Sequence, residues 1–151
     1  MKPRLLLLLL VAGLLPITSV QAAQADHVTA DHAWIRLLPG DLPAGGYVTL
    51  QNNGSIAATL ISAHSEAYAS VMIHQSVQEV DGTSRMTMVD HLTIPAHSKV
   101  SLAPASYHLM LQQAAHALKV GDDIDIALDF SDGSRLHVRF LVRAANAVDI
   151  N

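Results

Sequence analysis

Ile124-Asp125-Ile126-Ala127-Leu128-Asp129-Phe130 alternates apolar and polar side chains, Ser131-Asp132-Gly133-Ser134 interrupts it, and Leu136-His137-Val138-Arg139-Phe140-Leu141-Val142 resumes the alternation. Successive side chains of a strand point to opposite faces, so a period of two means one buried face and one wet face. Two such runs joined by a glycine-bearing turn predict a β-hairpin with one face in a core. Working outward, similar short runs occur at Trp34 to Leu37, Tyr47 to Gln51, Ala58 to Ala63, Ser70 to Val77, Arg85 to Val89, Lys99 to Leu102 and Tyr107 to Leu111. About nine short strands separated by turn signals predict an antiparallel sandwich or barrel. Pro95, Pro104 and the glycines break any long helical pattern, and only Gln112 to Leu118 has room for a helical turn. No linker, repeat or low-complexity segment divides the chain.

The N-terminus reads as a processing segment. Lys2 and Arg4 form a positive region, Leu5 to Leu15 an apolar one, and Val20-Gln21-Ala22 a small-residue cleavage site. The expected signal peptide is residues 1–22, with a second cut possible after Ala25, and the expected domain is residues 23–151. A membrane span needs about 20 apolar residues, and this run is shorter and broken by Pro16. Export to a bacterial periplasm follows as the expectation.

Cleavage after Ala22 leaves 129 residues, enough for one core. It also removes Lys2 and Arg4, so 7 basic residues face 13 acidic ones, a net charge of −6. Nucleic-acid binding rests on clustered Lys and Arg, and membrane-surface binding on a basic amphipathic stretch; neither is present. The chain has no cysteine, which excludes disulfides and a blue-copper thiolate site. Enzyme motifs are absent as well: there is no Gly-x-Ser-x-Gly elbow and no His-Glu-x-x-His, and Asp122-Asp123 beside Gly121 reads as solvation.

The soft donors are concentrated in one stretch. His108 and Met110 stand one residue apart in Tyr107-His108-Leu109-Met110, so on a strand they project from one face. Met72 and His74 repeat that spacing, and Met86 and Met88 flank Thr87 beyond the Asp81-Gly82 turn. Thioether and imidazole suit copper(I) and are poor ligands for hard cations. A thioether forms no disulfide and carries no charge, which suits a sulfur ligand to an oxidising compartment. The plain alternative is packing: Met fills core gaps, and a strand His lies on a wet face.

The order His74, eleven residues, Met86, twenty-one residues, His108, one residue, Met110 resembles the PCuAC family of periplasmic copper(I) chaperones. Their signature is His, ten residues, Met, twenty-one residues, His-x-Met. The second half matches, and one extra residue near Asp81-Gly82-Thr83-Ser84 would fall in a turn that tolerates insertion. Ala33-Trp34-Ile35-Arg36, Gly46-Tyr47-Val48-Thr49-Leu50-Gln51-Asn52, Ile94-Pro95-Ala96 and Val120-Gly121-Asp122 are further family landmarks. The resemblance implies a cupredoxin-like Greek-key β-sandwich and a copper(I) ligand set of His74, Met86, His108 and Met110. Met72 stands open between a spare sulfur and core packing, and Met88 is the alternative to Met86 or an auxiliary sulfur beside it. It also implies a monomer that delivers copper to an apo copper centre of cytochrome oxidase, directly or through a thioredoxin-like copper chaperone.

Two readings from other classes stay open: a periplasmic interaction or adhesion module, and a zinc buffer drawing on the nine histidines. His27, Asp31 and His32 have ligand chemistry for copper(II) or zinc, although a mobile solvated terminus is the simpler expectation. His64, His91, His97, His116 and His137 show no ligand-like spacing and read as surface residues.

Overall fold

The computed structural model describes residues 22–148. The expected leader falls almost wholly outside the described residues. A single turn, α1 (Gln24–His27), precedes ten strands: β1 (Val28–Arg36), β2 (Ala44–Asn52), β3 (Ala58–His64), β4 (Tyr68–Gln78), β5 (Ser84–Met88), β6 (Leu92–Ile94), β7 (Ser98–Leu102), β8 (Tyr107–Ala114), β9 (Asp123–Phe130) and β10 (Arg135–Arg143). They join in the order β5-β4-β8-β2-β1-β10-β9-β3-β6, with β7 also on β2. The β1–β10 pairing is parallel and the others are antiparallel. No helix among the described residues is long and apolar enough to cross a membrane.

The deciding hairpin is β9–β10, in register from Arg135 opposite Asp129 to Leu141 opposite Asp123. Its turn is held by Asp132, whose Oδ1 accepts from Ser134 N at 3.0 Å and Ser134 Oγ at 2.6 Å, while Gly133 takes the positive φ of +84°. Ile124, Ile126, Leu128 and Phe130 of β9 join Val138, Phe140 and Val142 of β10 in the core. Ile73, Leu109 and Leu111, from the other end of the strand order, enter the same cluster, as do Leu60, Leu92 and Ile94. One continuous sheet therefore folds over a single apolar interior, giving the all-β, cupredoxin-like sandwich. Each large apolar side chain buried this way stabilises by roughly 1.5–3 kcal/mol. Without a disulfide, this burial is the main source of stability.

Three local expectations change. Gln112 to Ala114 complete β8 rather than turning into a helix, because Ser70 pairs with Gln112 and Tyr68 with Ala114. The segment at His27 to His32 is not a mobile terminus: Gln24 N donates to Asp132 Oδ2 at 2.7 Å, Thr59 N donates to Gln24 Oε1 at 3.0 Å, and β1 starts at Val28. The third concerns β6, which periodicity missed because three residues before Pro95 are too few to show a period.

Candidate metal centre

Alternation along β4 and β8 sorts the donors. Ile73, Leu109 and Leu111 enter the core, so Met72, His74, His108 and Met110 leave the opposite face of the sheet. The antiparallel register sets Met72 opposite Met110 and His74 opposite His108. Directly opposed residues have Cβ atoms about 4.5–5.5 Å apart. Two imidazoles and two thioethers thus form adjacent cross-strand pairs.

The β4–β5 hairpin adds the remaining sulfurs. Met88 is opposite His74, and Met86 is opposite Ser76, one step further along the strand. At strand spacings of about 4.8 Å and a rise of about 3.4 Å per residue, the Cα of Met88 is about 12 Å from that of Met110, and the Cα of Met86 about 17 Å. Met88, His74 and His108 therefore share one row across three strands. The turn that sets this register runs through Glu79 to Thr83, where Glu79 N donates to Thr83 O at 2.8 Å and Asp81 Oδ1 accepts from Thr83 N at 2.9 Å. Gly82 supplies its φ of +85°.

Burial grades the donors. His108 is 6% exposed, Met72, His74 and Met110 are half-buried, and Met86 and Met88 are 57% and 64% exposed. The rings of His74 and His108 lie edge to face at 68°, with centroids 5.9 Å apart. With a metal–imidazole bond about 2 Å long, this centroid spacing is within the span of one ion held between the two rings.

The two rings are held differently. His108 Nδ1 donates to the Ser106 carbonyl at 3.1 Å, which leaves Nε2 as the lone-pair nitrogen. That carbonyl also accepts from Ser76 N at 3.1 Å, so β4 and the turn before β8 brace the ring together. His74 Nδ1 is buried with no hydrogen-bond partner. Burial, and secondarily the neighbouring His108, pushes the His74 pKa below the ordinary imidazole value. A deprotonated imidazole with an unsatisfied nitrogen is chemically suited to a metal ion.

Comparison with known proteins follows from this geometry. The LpqE-like family model matches residues 28–142, which include all the strands but the last residue of β10. The chain belongs to the LpqE-like family. Lxx21020 of Leifsonia xyli subsp. xyli (strain CTCB07), which is named as a lipoprotein, is 30% identical over 128 residues, covering 85% of this chain and 76% of the relative. RP573 of Rickettsia prowazekii (strain Madrid E) is 30% identical over 101 residues, covering 66% of this chain and 54% of the relative. Among solved structures, the chain is similar to the apo PCuAC domain of PmoF2, with TM-score 0.67, 24% identity, and coverage of 82% of this chain and 95% of that one. It is similar to apo-DR1885 of Deinococcus radiodurans, with TM-score 0.62, 28% identity, and coverage of 99% and 100%. The copper(I) form of DR1885 gives TM-score 0.60 at 28% identity, with 83% of each chain covered. The resemblance to the PCuAC family read from the sequence holds.

In this LpqE-like chain, residues outside the donor list shape the site. Gly45 is opposite Met110 and Gly46 opposite Leu109. A Cβ on Gly45 would meet Tyr47 Oη at 2.6 Å, and one on Gly46 would meet Leu109 Cβ and Leu111 Cδ1 at 3.1 Å. Gly46 thus lets β2 approach β8, and Gly45 leaves room for Tyr47 to fold back over the strand position paired with Met110. Tyr47 packs on Trp34 at 4.6 Å, with the Arg36 guanidinium 5.3 Å from both rings. A Gly-Gly pair inside a strand pattern is the sequence signal for such a close approach. The Ser106 carbonyl has no such signal, because any residue supplies a carbonyl.

The other histidines are dispersed. His64 Nδ1 meets Asp129 Oδ2 at 3.0 Å, and His137 Nδ1 meets Asp125 Oδ2 at 2.7 Å, all on the outer face of β3, β9 and β10. His32 sits at the bulge between Asp31 and Trp34 with φ of +53°. Among the described residues, no group of three or more His, Cys, Asp or Glu converges as a metal site, at His27 and His32 or elsewhere.

Proposed function

We propose that this protein is an exported copper(I) chaperone whose residues 1–22 are a signal peptide. Its ligands are His74, His108 and Met110, together with one thioether from β5. The observation that carries the reading is the sharing of one sheet face by two imidazoles and four thioethers, with the most buried imidazole held in a lone-pair tautomer. Sequence spacing nominates Met86 as the β5 ligand. The register supports Met88, which shares a row with both histidines. The similarity to the copper(I) form of DR1885 supports the choice of ion.

The donor set explains how such a site carries cargo. All four ligands are neutral, so the bound ion keeps its single positive charge, and two sulfurs favour the reduced metal. Lacking a thiolate, the site holds copper loosely enough for hand-over through shared-ligand intermediates. The exposed β5 methionines lie where an acceptor can reach them. We assign the acceptor to an apo copper centre of cytochrome oxidase or a thioredoxin-like copper chaperone, with this protein acting as a monomer in the periplasm and performing no catalysis.

Anaerobic copper(I) titration against a chromophoric chelator tests the reading. One stoichiometric ion, preferred over zinc, is the expected result. No copper(I) binding leaves an interaction or adhesion module, and a preference for zinc leaves a zinc buffer.

A further inference from the structure

Met72 is left unused by that four-ligand set, although its position is equivalent to that of an assigned ligand. It faces Met110 across β4–β8 as His74 faces His108, and it is half-buried on the same face. The four residues Met72, His74, His108 and Met110 therefore form a complete two-nitrogen, two-sulfur set on β4 and β8 alone. These strands share seven paired positions, and both lie inside the sheet. By contrast β5 is the terminal strand of the sheet order, is tied to β4 by five paired positions, and carries exposed methionines.

Resting on the copper(I) reading, we propose that Met72 is a further copper ligand that exchanges with the β5 thioether. In the holding arrangement the ion is bound by Met72, His74, His108 and Met110. In the hand-over arrangement a copper–sulfur bond to Met88 forms as the one to Met72 breaks. Both sulfurs are neutral, so charge and oxidation state do not change and no co-reactant is needed. Methionine suits this role because its three rotatable bonds let sulfur move without moving the backbone. The exchange brings the ion from the half-buried pair to the exposed edge, where an acceptor ligand can displace Met88.

The test strips β5 of sulfur with Met86→Leu and Met88→Leu in the full mature chain, loads copper(I) anaerobically, and counts neighbours by X-ray absorption. Leu is close in volume to Met, and preserved NMR contacts between His74 and His108 report an intact register. Two sulfur neighbours are expected in the stripped protein, and adding Met72→Leu should reduce the count to one. The same step should weaken copper(I) binding at least about tenfold, since even an outer-shell loss costs that much. One sulfur in the stripped protein, or a count and affinity indifferent to Met72→Leu, overturns the proposal. Met72→Leu alone is the companion variant: Met88 should replace the lost sulfur, leaving two in the shell, whereas a drop to one overturns the exchange. Failure of the wild-type protein to bind copper(I) would instead defeat the underlying chaperone reading.

Discussion

His74 and His108 face each other across the β4–β8 pairing, their ring centroids 5.9 Å apart and their planes at 68°. One ring is braced by the Ser106 carbonyl, and the other has a buried nitrogen without a partner. Under the copper(I) reading proposed above, this asymmetry would separate a pre-set ligand from one that the metal completes.

His108→Ala should weaken copper(I) binding by at least about tenfold, given that loss of an outer-shell partner alone costs about 10–100-fold. The fold should survive, because the Ser106 carbonyl keeps its bond from Ser76 N and the core residues Leu109 and Leu111 are untouched. Chelator competition and thermal unfolding check the two halves. Wild-type affinity in the variant removes His108 from the site.

The β5 ambiguity yields a direct comparison. Met88→Leu should lower copper(I) affinity in the otherwise native chain more than Met86→Leu does, since Met88 shares the row of His74 and Met86 lies one step beyond it. Leu preserves volume, so packing losses stay below about 1.5 kcal/mol. The reverse ranking in a chelator titration would mean that the β4–β5 register shifts on metal binding.

Acid should act through His74. Its pKa is held below 6.5 by burial first and His108 second, so the unfolded chain binds more protons in the window between the depressed folded value and 6.5. The stability contributed by neutral His74 is complete above pH 6.5 and is lost as pH falls through that window. Copper(I) affinity should decline in acid as well, because an imidazole must be deprotonated to bind. Replacing His108 by Gln should raise the His74 pKa only part of the way, as burial is the larger cause. NMR titration of the ring protons measures this, and a wild-type His74 titrating at 6.5 or above contradicts it.

The close approach of β2 to β8 predicts unequal costs for two neighbouring glycines. Gly46→Ala places its Cβ 3.1 Å from the Leu109 Cβ, which cannot move without its strand, so a loss of about 1–3 kcal/mol is expected. Gly45→Ala meets Tyr47 Oη at 2.6 Å and Cζ at 3.0 Å, atoms at the far end of a side chain that can shift without displacing its strand. Denaturant unfolding should rank Gly46→Ala as the more damaging; equal stabilities would mean that the strands relax apart.

The fold was legible wherever one face was wet. The Ile124 to Val142 stretch alternates cleanly because Asp125, Asp129 and His137 stand on the solvent side while Ile126, Leu128 and Phe140 are in the core. The donor face was legible for the same reason, since His-x-Met on a strand fixes a shared direction. The pairing of donors across strands was not. Spacing in sequence nominated Met86, whereas cross-strand position depends on how many residues the turn at Glu79 to Thr83 consumes, and turn length is invisible to a two-residue period. The order of the N-terminal segment was missed too, because it rests on the Gln24 contacts with Asp132 and Thr59, which are distant in sequence.

Oxidant separates the sulfurs by exposure and by ligation together. In the apo-protein, peroxide should convert Met86 and Met88 to sulfoxides first, at 57% and 64% exposure, and the half-buried Met72 and Met110 later. A sulfoxide replaces a soft donor by a polar group, so full oxidation should abolish copper(I) binding at neutral pH. Copper loading should reverse part of this order: a thioether whose lone pair is engaged by the metal resists oxidation, whereas an exposed spectator does not. Met110 should therefore be protected in the loaded protein, Met72 with it in the holding arrangement, and Met88 should oxidise more slowly than Met86, despite its greater exposure, in proportion to the time it spends exchanged into the copper shell. Residue-resolved mass spectrometry after timed peroxide exposure reads each of these rates. Equal oxidation of Met110 with and without copper(I) would remove it from the site, and protection of Met86 in place of Met88 would return the β5 ligand to the residue that sequence spacing nominates.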